Sequence, residues 1–295
     1  MTPLPSIAFA GIGLMGLRMC QRLLAAGYPL TVWNRSPDKC APLVAAGARQ
    51  VDIPAELCAA ADIVLLCLAD TLVVREVVFG SGGIVEGARA GQLLVDHSSL
   101  EPAATRTMAA ELEARSGMRW VDAPVSGGTA GAEAGSLVIM AGGRLEDVER
   151  ARPVLMNLGQ RLTHMGEVGA GQVTKACNQM IVACNALVIA EVVALAERSG
   201  VDASLLAPAL AGGFADSKPL QFLAPQMAND EFEPVKWHVR TLLKDLDAAV
   251  QLSREQGSAT PMTGLAAQLM RLHGSHGNLE NDPATLINLF RESQP

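Results

Sequence analysis

Four short stretches carry residue types whose spacing could do chemistry. The first is Gly11-Ile12-Gly13-Leu14-Met15-Gly16, which follows an apolar run and opens a helical pattern from Arg18 to Ala26. Glycines at these offsets permit a tight turn, close approach of backbone to a pyrophosphate, and close helix–strand packing, while the helix start supplies unpaired N–H groups and a positive dipole end. Such a turn can also serve packing alone, but inside a strand–turn–helix unit near the start of the chain it reads as a dinucleotide site. The second stretch is Val32-Trp33-Asn34-Arg35-Ser36. An NAD site would place an acidic residue here, about 20 residues past the glycines, to grip the ribose hydroxyls. Asn34, Arg35 and Ser36 instead leave nothing to repel a 2′-phosphate and provide a guanidinium to bind it, so NADP(H) is the preferred cofactor and NAD(H) the second choice. A solvated surface arginine is the other reading of Arg35.

The third stretch is Asp122-Ala123-Pro124-Val125-Ser126-Gly127-Gly128-Thr129, directly after a strand pattern. Ser126, Gly127 and Gly128 would expose a hydroxyl and several backbone N–H groups, which can hold a carboxylate without a full positive charge. A tight structural loop fits the same residues. The fourth runs from Gly166 to Asn178 and puts Lys175 and Asn178, three apart, on one helical face. A lysine on an otherwise apolar helix is poorly explained by packing, although snorkelling to the surface is open to it.

The elements that must position these residues are legible from periodicity. Apolar runs at Ile7–Ala10, Leu30–Trp33, Ile63–Leu68, Leu93–Asp96, Trp120–Val121 and Leu137–Ala141 alternate with helical stretches. The runs are apolar at nearly every position, so both faces should be covered, which predicts an α/β fold: a Rossmann-type doubly wound parallel sheet with helices on both sides. After about residue 165 the texture changes. An uninterrupted Ala, Val, Ile and Leu-rich segment over about 170–199 predicts one long buried interdomain helix, and 202–211, 219–229, 236–256, 261–273 and 283–292 carry helical periodicity without a strand run. The expected domains are 1–165, binding the dinucleotide, and 166–295, all-helical and including the long helix.

With 49% hydrophobic residues in 295, the chain can fill two cores, and disorder is excluded. Its 23 basic residues against 30 acidic ones form no dense run, so neither nucleic acid nor a membrane surface is an expected partner. Lys175, Asn178, Gln179, Asn185 and Glu191 also argue against a membrane span in the long segment. Six scattered cysteines without a Cys-x-x-Cys pair, and five histidines without ligand spacing, point to reduced thiols, a cytoplasmic setting and no metal.

Together the Gly11–Gly16, Asp122–Gly128, Gly169–Asn178 and Lys244-Asp245-Leu246 segments resemble the β-hydroxyacid dehydrogenase family, which includes 3-hydroxyisobutyrate dehydrogenases, tartronate semialdehyde reductases and glyoxylate/succinic semialdehyde reductases. The resemblance spans essentially the whole chain. It implies an oxidoreductase that passes hydride between a nicotinamide and a small hydroxy acid or semialdehyde such as 2-hydroxy-3-oxopropionate, with oxidative 3-hydroxyisobutyrate or L-serine dehydrogenation as the alternative. A cofactor-binding module without catalysis is the more distant one. The resemblance makes Lys175 the proton donor and acceptor, gives Asn178 and Ser126–Gly128 to the substrate, and adds Leu68, Ser99 and Lys244 to the cofactor contacts. It also implies a homodimer or homotetramer packed through the long helix. Asp247, where many relatives carry a small residue, departs from the pattern. Asn34-Arg35 matches the glyoxylate/succinic semialdehyde reductases rather than the NAD-using relatives.

Overall fold

A computed structural model describes residues 4–291. Residues 1–3 and 292–295, the outermost positions of the two expected domains, lie outside the described residues. The backbone divides into two compact units, one ending at Lys175 and the other beginning at Ala176.

The first unit is built on strands β1 (Ile7–Ala10), β2 (Leu30–Trp33), β3 (Arg49–Gln50), β4 (Ile63–Leu66), β5 (Leu93–Asp96), β6 (Arg119–Asp122), β7 (Val125–Ser126), β8 (Leu137–Gly142) and β9 (Gly159–Gly166). They form one sheet in the order β3-β2-β1-β4-β5-β6-β8-β7, with β9 added beside β8. Side chains alternate across a strand, and the sequence uses both faces. Ile7, Phe9, Ile63, Leu65, Leu93 and Val95 pack with Met19 and Leu23 on one side. Ala8, Ala10, Val64, Leu66 and Leu94 pack with Val74, Val78, Met108 and Leu112 on the other. Strand order reverses between β1 and β4, so their carboxyl ends open the crevice where doubly wound sheets bind ligands.

Three features depart from the sequence-based expectation. The sheet is not wholly parallel: β6 and β7 each pair antiparallel with β8. Gly127 and Gly135 flank, and Gly128 begins, the short Gly128–Ala134 helix that turns the chain between β7 and β8, and all three have positive φ. β9 carries no apolar run because residues such as Gln160, Arg161 and Thr163 are exposed. The run expected to continue to Leu68 ends as strand at Leu66, since Leu68 N–H donates to the Ser98 side-chain oxygen instead of a ladder carbonyl.

The long helix spans Ala170–Arg198. Ala183, Ala186, Leu187, Ala190 and Val193 on it join Leu220, Leu223, Met227, Leu242, Leu246 and Met270 in the core of the second unit. Contrary to an all-round buried helix, Ile181, Val188, Val192 and Leu195 are exposed. By length and hydropathy alone this helix could cross a membrane. The longer helices that follow among the described residues are Lys218–Ala228, Val239–Glu255 and Pro261–His273, while the segments 202–211 and 283–291 break into 3-10 turns plus the short helices Leu206–Leu210 and Asn288–Arg291. Asp282, whose carboxylate accepts from Ala284 N–H, starts the last of these turns.

Candidate active site

The glycine turn sits at the carboxyl end of β1. Gly11 has φ 102°, and a Cβ there would lie 2.3 Å from the Cys67 carbonyl oxygen and 2.8 Å from a Leu68 methyl. A Cβ on Gly16 would lie 1.9 Å from the Gly11 carbonyl oxygen, so the helix start can press on the turn only without a side chain. At Gly13 a Cβ would meet nothing within 4 Å, which leaves the outer side of the turn open to a ligand. A cradle with that opening, in front of the Leu14–Ala25 helix, fits a dinucleotide pyrophosphate. Leu14 is exposed and Met15 half-buried at the mouth.

Asn34 does more than stand where an aspartate is lacking. Its Oδ1 accepts from Ile12 N–H (2.9 Å) and its Nδ2 donates to the Ser36 carbonyl (2.9 Å), so one amide ties the glycine turn to the loop after β2. A carboxylate could not make the second bond. Arg35 and Ser36 are exposed on that loop, and Arg35 makes no hydrogen bond or ion pair among the described residues.

The ends of β5 and β6 hold a buried polar cluster. Asp96, His97, Ser98, Asp122 and Gln172 are each at most 3% exposed. Asp96 Oδ1 accepts from Ser98 N–H (2.9 Å), whereas its Oδ2 is buried without a partner. Burial pushes the Asp96 carboxyl up to about 7 against the hydrogen bonds from Ser98. Burial likewise drives His97 down to about 4, so its ring is neutral, and Nδ1 beside the Ala123 carbonyl (2.7 Å) carries the hydrogen. Asp122 accepts from Gly169 N–H through Oδ1 (2.7 Å) and from Gln172 N–H through Oδ2 (2.9 Å). Gly169 directly precedes the Ala170–Arg198 helix and Gln172 lies in its first turn, where backbone N–H groups have no intrahelical partner. Burial still outweighs those bonds and raises Asp122 to about 6. Gly171 makes the close seat possible: a Cβ there would lie 2.4 Å from the Met140 carbonyl oxygen.

The first unit thus brings Gly11–Gly16, Asn34, Leu68, Ser99 and the Ser126–Gly128 loop to one end of the sheet. Lys175 is half-buried one turn beyond Gln172. Ser126 and its partner strand register, Ser126 against Val138, set the loop, and Gly127 and Gly128 are exposed. In the second unit, Asn178 Nδ2 donates to Gln179 Oε1 (2.9 Å), Gln179 Nε2 donates to Asp245 Oδ2, and Lys244 Nζ stands 3.6 Å from Asp245 Oδ1. Asn178 and Lys244 therefore share one polar chain through Asp245.

Asp96, His97, Asp122 and Gln172 were not singled out by sequence reasoning. Asp122 and Gln172 lie within motifs read for other residues, and their pairing spans 50 positions.

Residues 6–166 match a family profile described as the NAD binding domain of 6-phosphogluconate dehydrogenase, and residues 169–290 match one described as NAD-binding of NADP-dependent 3-hydroxyisobutyrate dehydrogenase. The chain is 34% identical to an NAD-dependent L-serine dehydrogenase of Pseudomonas aeruginosa, covering 98% of each. It is 34% identical to the 2-hydroxy-3-oxopropionate reductase of Escherichia coli, covering 95% of each. A solved Mycobacterium tuberculosis 3-hydroxyisobutyrate dehydrogenase with L-serine superposes at TM-score 0.88 and 30% identity, covering 98% of this chain and 100% of that one. With both profiles in sequence order and the open glycine cradle at the head of the first, the chain belongs to the β-hydroxyacid dehydrogenase family of nicotinamide-dependent oxidoreductases.

Proposed function

We propose that the protein reduces a small semialdehyde such as 2-hydroxy-3-oxopropionate to its hydroxy acid with NADPH. The observation that carries this reading is the pinned start of the Ala170–Arg198 helix, which Asp122 fastens at the strand ends three residues before Lys175. A nicotinamide dinucleotide held by its pyrophosphate at the glycine turn would supply the hydride for reduction and accept it in reverse. The Lys175 ammonium gives a proton to the carbonyl oxygen as hydride reaches the carbonyl carbon, leaving a hydroxyl and a neutral amine. In reverse the amine takes that proton. Ser126 Oγ and the N–H groups of Gly127 and Gly128 hold the substrate carboxylate, and Asn178 hydrogen-bonds the substrate one turn beyond Lys175. Leu68, Ser99 and Lys244 are the further proposed cofactor contacts.

Arg35 supports NADPH because it is exposed beside the turn that Asn34 holds. A charge-assisted bond to the 2′-phosphate contributes about 1.5–3 kcal/mol. Arg35→Ala is therefore expected to raise the KM for NADPH by about tenfold or more and leave that for NADH nearly unchanged. Equal losses with both cofactors in steady-state assays contradict the preference.

The likeness to an L-serine dehydrogenase favours a second reading, oxidation of a 3-hydroxy acid. A panel of semialdehydes and 3-hydroxy acids with both cofactors separates the two: highest kcat/KM for L-serine or 3-hydroxyisobutyrate with NAD supports the second. The retention of Lys175 with Asn178 speaks for an enzyme over a cofactor-binding module. A cytoplasmic setting, without a membrane or nucleic-acid partner, is part of the proposal and rests on the acidic balance and unpaired thiols.

We also propose a homodimer or homotetramer. Ile181, Val188, Val192 and Leu195 are 64%, 46%, 37% and 67% exposed and recur at helical spacing, an apolar stripe that a second copy would cover. Light scattering should give at least twice the mass of one chain, and Ile181→Glu with Leu195→Glu should lower it. A monomeric wild-type protein contradicts the proposal.

A further inference from the structure

One side chain links the start of the long helix to the loop after β5. Gln172 Nε2 donates to the Ser98 carbonyl (2.8 Å), and its Oε1 accepts from Leu100 N–H (3.0 Å). The planar amide therefore closes on the two peptide groups that flank Ser99. Gln172 is 1% exposed, and its own N–H is held by Asp122. Leucine would fill such a position without the cost of desolvating an amide, so packing does not account for glutamine here. The pairing of one donor and one acceptor on a single rigid group does account for it, since it fixes the neighbouring backbone in both distance and direction.

Two residues that the proposed reaction needs lie either side of this link. Ser99 is enclosed by the clasp, and Lys175 follows Gln172 by three positions, on the same side of the helix. We propose that Gln172, seated by Asp122, is a positioning residue that fixes Ser99, on the cofactor side, relative to the proton donor Lys175. The proposal rests on the reading of Lys175 given above. Displacing a reacting group by about 1 Å can cost about a hundredfold in rate, so a short rigid link between these groups matters to turnover more than to binding.

Gln172→Leu removes both bonds at similar volume. NADPH affinity, read by nucleotide fluorescence, should stay within about threefold, while kcat falls by about 10–100-fold. The deuterium isotope effect with 4-deuterated NADPH should rise as hydride transfer becomes slower relative to other steps. In the cofactor-free protein, hydrogen exchange at the Leu100 amide should accelerate by about tenfold or more, while the Gly169 amide, held by Asp122, keeps its protection. Gln172→Glu retains an acceptor for Leu100 but turns a second oxygen toward the Ser98 carbonyl, and its kcat should fall between the two. That variant carries the same readouts if the leucine variant does not fold. A kcat within twofold of wild type, or a loss of kcat with the isotope effect and Leu100 exchange unchanged, overturns the positioning role. Lys175→Met measured alongside separates the two claims. If it is inactive while Gln172→Leu is normal, only the positioning role fails. If it turns over normally, the reading of Lys175 fails and this proposal with it.

Discussion

Replacing Lys175 with methionine is expected to lower kcat for semialdehyde reduction by about a thousandfold while NADPH binding changes by less than about threefold. Methionine keeps the length and apolar stem of lysine and removes only the ammonium. The bonds that seat the helix, from Gly169 and Gln172 to Asp122 and from Gln172 to the Ser98–Leu100 loop, involve none of the Lys175 side chain. The variant should therefore fold, bind cofactor at the glycine turn and lack the proton that the new alkoxide requires. Fluorescence titration with NADPH and steady-state kinetics with the semialdehyde measure the two quantities. Parallel losses in both would instead make Lys175 a structural residue.

Asp96→Asn should stabilise the protein increasingly as pH rises from 4 to 8. The Asp96 carboxyl is held at about 7 by burial in the folded protein, against an ordinary value of 3.8. Between these values the folded chain retains a proton that the unfolded chain has released. The contribution of Asp96 is therefore most favourable below pH 4, declines as pH climbs toward 7, and is flat above. The gap corresponds to about 4 kcal/mol. Asparagine cannot ionise, yet its Oδ1 can still accept from Ser98 N–H, and its Nδ2 would occupy the place of an oxygen that has no partner. Denaturant unfolding at pH 4, 6 and 8 should show the stability difference between variant and wild type widening toward the variant by about 4 kcal/mol over that range. A difference that is constant with pH would mean that Asp96 is not protonated in the folded protein at neutral pH.

What could be read from the sequence was what depends on residue type over a few neighbouring positions. The runs in β1, β2, β4 and β5 gave themselves away because nearly every residue in them is buried, Trp33 at the end of β2 being the one that is only partly so. The strand β9 did not, because its burial alternates between a few inward residues and exposed polar ones such as Arg161 and Thr163. The turn at Gly11–Gly16 was legible because the absence of Cβ is itself the functional property. Arg35 and Lys175 stand out in the sequence as charges in unexpected company, and the roles given to them rest on the proposed function. The long helix appeared more buried than it is because composition records that a face is apolar and says nothing of what covers it. Asp122 was overlooked because its role depends on donors 47 and 50 residues away. Asn34 was read for the aspartate it replaces, whereas its amide joins two loops 22 residues apart in the chain. Arg35 follows the end of β2, and Lys175 follows the helix start that Asp122 holds at the end of β6, so their placement exists only after the sheet has formed.

Chemical rescue puts the role of the lysine to the most direct test. Lys175→Ala opens space for a small amine, and single-turnover reduction by this variant with NADPH should be slow alone and rise with added methylamine, following the fraction of amine that is protonated. Reduction by Lys175→Ala within tenfold of the wild-type rate, with no added amine, would show that the proton comes from elsewhere.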